Sequence, residues 1–312
     1  MRIQDAIDAV PKRNKDRIFI FIKPGIFREK IVLSADKPFV TLAGTDVDST
    51  VISWNDAGKT MESATVTILA LDFVGRNITI QVDAEERKQC AAGVLSTFGR
   101  GSQSPALRVS GDRPAFYGCR MLSYQNTLLD DSGRHYYKDF YIEGATDFVC
   151  GDALSLFEGC QLHSISDHGG AVTAQSRRSA VDRMGYIFVG CSITGRGALC
   201  WGAMEKLLYT PSPPGGWDDW GKPSSHRTVF YGEYECFGPG ARLAGRVAWP
   251  RPLSAVEVAP FQTEREGEFL FRKELEEREE QRKRKRERER GSEETRECKS
   301  SLTKIDEYKL FI

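Results

Sequence analysis

Six times along the chain, an aromatic pair or an aromatic followed by another residue leads into Gly or Asp and then into a short β-prone run. The copies are Phe73-Val74-Gly75, Phe116-Tyr117-Gly118-Cys119, Tyr136-Tyr137-Lys138-Asp139-Phe140, Phe157-Glu158-Gly159-Cys160, Phe188-Val189-Gly190-Cys191 and Phe230-Tyr231-Gly232. Their Gly or Asp positions lie 43, 21, 20, 31 and 42 residues apart, so one unit is about 20 to 21 residues, sometimes doubled and sometimes carrying a loop. A unit that short holds three short strands and cannot bury an apolar face until its neighbours stack on it. The repeat predicts an all-β solenoid, a parallel β-helix with one unit per turn.

Stacking turns equivalent residues into ladders. Cys119, Cys160 and Cys191 are expected in one internal column as buried, unpaired thiols, with Phe140 filling the turn between. Gly159 and Gly190 are expected where stacked backbones approach closely. Residues 17–23 and 65–70 are β-branched or aromatic runs bounded by turn formers and read as strands. Helical signal is confined to a short cap near residues 5–10 and to the C-terminal tail.

The chain carries 44 basic and 44 acidic residues, so no net basic field points to nucleic acid or to an acidic membrane surface. No apolar run approaches a membrane span, and the amphipathic start does not read as an export segment. The eight cysteines contain no Cys-x-x-Cys pair, and His135, His163, His168 and His226 are scattered, so no zinc signature is present. Residues 264–312 change character: 30 of the 49 are charged, 15 of each sign. Such a segment reads as a solvated helical extension or as disorder outside the core, and its removal is expected to leave the fold intact. Residues 82–96 read as a polar loop inserted after a strand, which makes 1–263 the β-helix domain.

Six segments occur in an order and spacing that resemble one family. They are Gly25-Ile26-Phe27-Arg28-Glu29, Gln103-Ser104-Pro105-Ala106-Leu107-Arg108-Val109-Ser110-Gly111-Asp112, Tyr124-Gln125-Asn126-Thr127-Leu128, Gly144-Ala145-Thr146-Asp147-Phe148-Val149-Cys150-Gly151, Ala171-Val172-Thr173-Ala174-Gln175 and Gly216-Trp217-Asp218-Asp219-Trp220-Gly221. Together they resemble the plant-type pectin methylesterases over residues 3–263. The resemblance implies a right-handed parallel β-helix that hydrolyses methyl esters of cell-wall homogalacturonan to carboxylate and methanol. It implies no metal and no organic cofactor, a monomer acting on methyl-esterified pectin, and a place in the cell wall. Asp147 matches the family's nucleophile, and Gln103 and Gln125 match its oxyanion-binding glutamines. Gln175, Phe148, Tyr124, Trp201 and Trp217 match positions expected to line the substrate cleft.

Two departures bear on activity. The family's acid/base aspartate stands in a Gln-Asp-Thr motif, and here that position is Asn126. A carboxamide donates a hydrogen bond but cannot cycle a proton near neutral pH. The family's Leu-Gly-Arg-x-Trp segment, whose arginine pairs with the nucleophile, has no counterpart between Thr194 and Gly216, a stretch shorter than is usual there. The start of the chain, the 82–92 insertion and the charged tail also depart from the family pattern. The rival expectation is therefore a non-catalytic pectin-binding β-helix. A calcium-dependent lyase on the same architecture is disfavoured, because no acidic ligand cluster accompanies a basic arginine.

Overall fold

The computed structural model describes residues 2–56, 59–83, 103–166, 170–175, 184–195, 199–200, 231–241, 251–262 and 309–311. Short strands from successive turns pair in parallel into sheets of ten, seven and six strands, with one further pair, Gly170–Ala171 and Leu199–Cys200. The central turns show the plan. Leu107–Val109, Leu128–Asp130 and Val149–Cys150 are neighbours in the six-stranded sheet. Ala115–Tyr117, Arg134–Lys138 and Leu154–Glu158 are neighbours in the ten-stranded sheet, and Arg120–Leu122, Tyr141–Gly144 and Gln161–Ser164 in the seven-stranded one. One sequence unit thus supplies one strand to each sheet, as the repeat predicted.

The core is a set of ladders. Phe116, Tyr137, Phe157 and Phe188 stand in register on successive turns. Their rings stack at centroid spacings of 5.4, 4.7 and 4.8 Å, close to the inter-strand repeat. Phe73 extends the ladder at 5.4 Å from Phe116. The cysteine column forms as expected: Cys119, Phe140, Cys160 and Cys191 precede residues paired in register and are buried, and Cys236 continues the column. Cys119, Cys150, Cys160, Cys191 and Cys236 are free thiols. Burial pushes the Cys119 thiol up to about 12, which keeps it an inert apolar filler.

The corner between the ten- and seven-stranded sheets is a ladder of left-handed residues: Asn77, Gly118, Asp139, Gly159, Gly190 and Glu235, with φ between 51° and 61°. Here the structure corrects the reading of the repeat. Gly75 and Gly232 lie inside strands, and the corner falls at Asn77 and Glu235 instead. A Cβ on Gly190 would meet nothing within 4 Å, so the demand there is for φ, not for space. Asn tolerates this conformation and a β-branched residue does not. Gly190→Asn is expected to melt near wild type and Gly190→Val to cost about 1–2 kcal/mol. Equal melting of the two variants would show that φ does not set the preference.

A short helix, α1 (Ile3–Ala9), closes the N-terminal end. Its apolar side, Ile3, Ala6 and Ile7, is buried. The Glu29 carboxylate accepts hydrogen bonds from Ile3 N at 2.8 Å and Gln4 N at 3.0 Å, satisfying donors that a helix start leaves open. At the other end Lys37 Nζ donates to Ile7 O and Asp8 O at 2.8 and 2.9 Å. Gln4 covers the edge of strand Ile31–Leu33: its amide donates to Val32 O at 3.2 Å and its oxygen accepts from Val32 N at 2.8 Å.

The far end of the sequence holds a second correction. Lys309–Phe311 pairs in parallel with Ile18–Phe21, with Leu310 in register with Ile20, and so belongs to the stack. The tail is charged almost throughout, but its last residues, Leu310-Phe311-Ile312, are a β-prone run, and the first strand of a sheet offers an open edge. Ile18 N and Ile22 N donate to Phe39 O and Ala43 O on one side, so strand alternation turns the amides of Phe19 and Phe21 toward Lys309–Phe311. Leu310→Pro is accordingly expected to speed amide exchange at Phe19 and Phe21 by about tenfold or more while leaving Ile18 and Ile22 protected. Unchanged exchange at all four would contradict the pairing. Leu253–Tyr308 form a separate compact unit, so the boundary falls at Pro252 where the sequence suggested 263. Within that unit a helix, Ala255–Gln262, begins on a Ser254–Glu257 capping pair. Val82 ends strand Thr79–Val82, and residues 84–96 of the expected insertion lie outside the described residues, as does most of the tail.

Candidate active site

The family-matched residues converge where the chain passes from the seven-stranded to the six-stranded sheet. Gln125 and Thr146 form a parallel bridge, Asn126 N donates to Thr146 O at 3.1 Å, and two residues on Leu128 pairs with Val149. The same offset on both sides of the pair sets Asn126 and Asp147 on adjacent rungs. Both adopt left-handed backbone, φ 58° and 49°, which Asn and Asp tolerate better than other residues with a side chain. Both are nearly buried, 9% and 7% exposed. Two non-glycine residues held in this region on adjacent rungs mark a place where the surrounding ladder imposes the conformation.

Gln103 leads the strand one turn earlier. Ala106 N donates to Thr127 O at 2.9 Å, Leu107 pairs with Leu128, and Gln103 O accepts Ser63 Oγ at 2.9 Å. Gln103, Gln125 and Tyr124 are half-buried, with Tyr124 O accepting Ala145 N at 2.7 Å. Gln175 follows one turn after Asp147, next to Ala174, the register partner of Cys150. It is 2% exposed, and its amide donates to Ala153 O at 3.4 Å. Among the described residues, the side-chain oxygens of Asn126 and Gln175 are buried without a hydrogen-bond partner. Orphan acceptors at a site are candidates to receive donors from a ligand such as a sugar.

Phe148 departs from expectation. It is fully buried in the hydrophobic core and cannot line a cleft. The reason is parity: Asp147 is the left-handed residue that turns the chain, and Phe148 on its far side points inward beside Gly144, where a Cβ would stand 2.3 Å from the Phe148 Cβ. Trp201 and Trp217 lie outside the described residues. Cys150 ends the strand Val149–Cys150 that follows Asp147, and it is buried. Burial first, and the Asp147 charge second, push its thiol well up, so it stays protonated and is no rival nucleophile.

Sequence reading missed a buried polar cluster behind this strand. Asp130 Oδ1 lies 2.5 Å from His135 Nδ1 and accepts from Tyr137 Oη at 2.5 Å, while Ser155 Oγ donates to Asp130 Oδ2. The signal was available as parity: in Arg134-His135-Tyr136-Tyr137-Lys138 the burial pattern alternates, which sends His135 inward with Tyr137.

The fold and the site define a class of protein: a parallel β-helix that carries a carboxylate flanked by carboxamides on successive turns. The Pectinesterase family profile matches residues 1–211 and 203–266. Pectinesterase QRT1 of Arabidopsis thaliana is 38% identical over 283 residues, covering 83% of this chain and 72% of that protein. Pectinesterase 31 of the same plant is 36% identical over 286 residues, covering 83% and 86%. The solved structure of pectin methylesterase from carrot superposes with a TM-score of 0.66 at 26% identity, over 81% of this chain and 84% of that one. The chain belongs to the pectinesterase family, and its fold is the right-handed parallel β-helix.

Proposed function

We propose that this chain hydrolyses the methyl esters of pectin, with Asp147 as nucleophile. The observation that carries the reading is the rung formed by Asn126 and Asp147, both left-handed and nearly buried beside Gln125. In this reading the Asp147 carboxylate attacks the ester carbonyl carbon. The carboxamides of Gln103 and Gln125 donate to the oxyanion of the tetrahedral intermediate. Methoxide leaves and takes a proton from water to give methanol, and the hydroxide so formed hydrolyses the acyl-enzyme anhydride to the product carboxylic acid and the free Asp147 carboxylate. Tyr124 and Gln175 contact the substrate. The protein acts as a monomer in the cell wall, where its substrate lies. Methanol release from esterified pectin tests this: loss of release in Asp147→Asn supports it, and unchanged release removes Asp147 from the mechanism.

One observation favours a second reading. Asn126 cannot give methoxide its proton or take one from the hydrolytic water, so turnover loses general acid–base catalysis, a factor of roughly 10² to 10⁴. A chain that binds pectin and releases no methanol would be a binding module built on the same cleft.

A further inference from the structure

His135 is a buried titratable residue that the proposed chemistry does not use. Both of its ring nitrogens face acceptors: Nδ1 the Asp130 carboxylate at 2.5 Å, and Nε2 the Gly111 carbonyl at 2.8 Å. A neutral imidazole has one N–H and can satisfy only one of them; a ring with two acceptors satisfies both as the imidazolium. The Asp130 carboxylate is in turn filled by Tyr137 Oη and Ser155 Oγ. Burial pulls the imidazole toward its neutral form, but the Asp130 charge and the hydrogen bonds to Asp130 and Gly111 outweigh it and hold its pKa above the ordinary value. Asp130 is the charged group facing the ring, and Tyr137 packs edge-on at 6.4 Å. Asp112 and Arg134, beside the cluster in sequence, are paired with each other in the outer layer.

The placement of these groups ties them to the site. Gly111 lies just beyond strand Leu107–Val109, whose upstream approach carries Gln103. Asp130 is the last residue of Leu128–Asp130, preceded by Gln125 and Asn126. Ser155 follows Val149–Cys150, preceded by Asp147, and Ala153 N also donates to Asp130 O at 3.1 Å. One cluster therefore grips the downstream ends of three consecutive turns whose upstream ends carry the candidate site.

We propose that Asp130 and His135 are positioning residues of the site, a buried imidazolium–carboxylate pair that locks together the turns carrying Gln103, Gln125 with Asn126, and Asp147. The functional part of this inference rests on the proposed assignment of those residues. The clamp itself does not. A second acceptor is left unfilled when the ring loses its proton, so the clamp is complete below about pH 6.5 and is lost as pH rises through the elevated folded pKa.

The test is amide exchange in the intact chain at about pH 6 and about pH 9, corrected for intrinsic chemistry. Asn126 N and Leu128 N, which donate to Thr146 O and Phe148 O, are expected to lose protection about tenfold or more at the higher pH. Tyr141 N and Gln161 N, bonded within the seven-stranded sheet, are expected to keep theirs. His135→Gln is expected to open Asn126 and Leu128 at both pH values and to abolish the pH response. Nitrogen NMR of the wild-type ring reads the proton directly, with both nitrogens protonated at pH 6. A singly protonated ring at that pH, constant protection at Asn126 and Leu128, or a uniform loss across all sheets would each overturn the proposal. In an Asn126→Asp background, His135→Gln is expected to lower kcat for methanol release more than it raises KM. If that background is inactive, the hydrolytic reading fails while the exchange result still decides the clamp.

Discussion

Asn126→Asp is expected to raise methanol release from esterified pectin by at least about tenfold, toward the 10² to 10⁴ that a positioned general acid–base supplies. The substitution is conservative for the backbone, because Asp shares the tolerance of Asn for the φ of 58° found here. It sets a second carboxylate on the rung beside Asp147, at the inter-strand spacing of about 4.8 Å. Two nearly buried carboxylates that close do not both ionise readily. One retains its proton to higher pH and is available to methoxide, while the other attacks. Asp147→Asn in that background is expected to abolish the gain, and pectin binding is expected to change little. The sequence has no Leu-Gly-Arg-x-Trp arginine to favour the ionised nucleophile, which limits recovery below that of relatives that have it. A variant that binds pectin and stays silent between about pH 5 and 9 would assign the chain to the binding-module reading.

Phe157→Ala is expected to cost about 3–5 kcal/mol of stability. Phe157 is fully buried, stacked between Tyr137 at 4.7 Å and Phe188 at 4.8 Å, with Tyr186 edge-on at 5.9 Å. Its removal breaks the ladder in the middle, and rigid sheets on three sides keep the cavity from collapsing. Because each turn of a solenoid leans on its neighbours, the damage is expected to appear as faster exchange in the turns of Tyr137 and Phe188 before it reaches α1. Urea unfolding measures the total. A cost below about 1 kcal/mol would mean that the aromatic ladder is not the spine of the fold.

The repeat was legible because a solenoid writes its period into the chain: each turn needs the same inward residues, so Phe116, Tyr137, Phe157 and Phe188 recur and Cys119, Cys160 and Cys191 follow at a fixed offset. At both ends of the repeat the corner lies beyond Gly75 and Gly232, which the repeat does not reveal, because glycine in a strand and glycine in a left-handed turn look alike in sequence. There Asn77 and Glu235 hold the turn and are not glycine. Phe148 lies in the core for a related reason. Sequence adjacency to Asp147 suggests a shared surface, but a left-handed residue resets the inside–outside alternation, and only the backbone shows on which side the next side chain falls.

The sequence by itself determined the class of fold, the order of the site residues and the loss of a carboxylate at Asn126, since each of these is a property of residue identity and spacing. Tertiary structure alone decided three things. It gave Asn126 and Asp147, one repeat unit apart in sequence, the same left-handed backbone, it closed the edge of Ile18–Phe21 with the last residues of the chain, and it gathered Gly111, Asp130, His135, Tyr137 and Ser155 into one buried cluster. The physical reason is the same in each case. These contacts run across turns, perpendicular to the chain, and whether a polar side chain finds a partner there depends on the register of strands whose loops differ in length from one unit to the next.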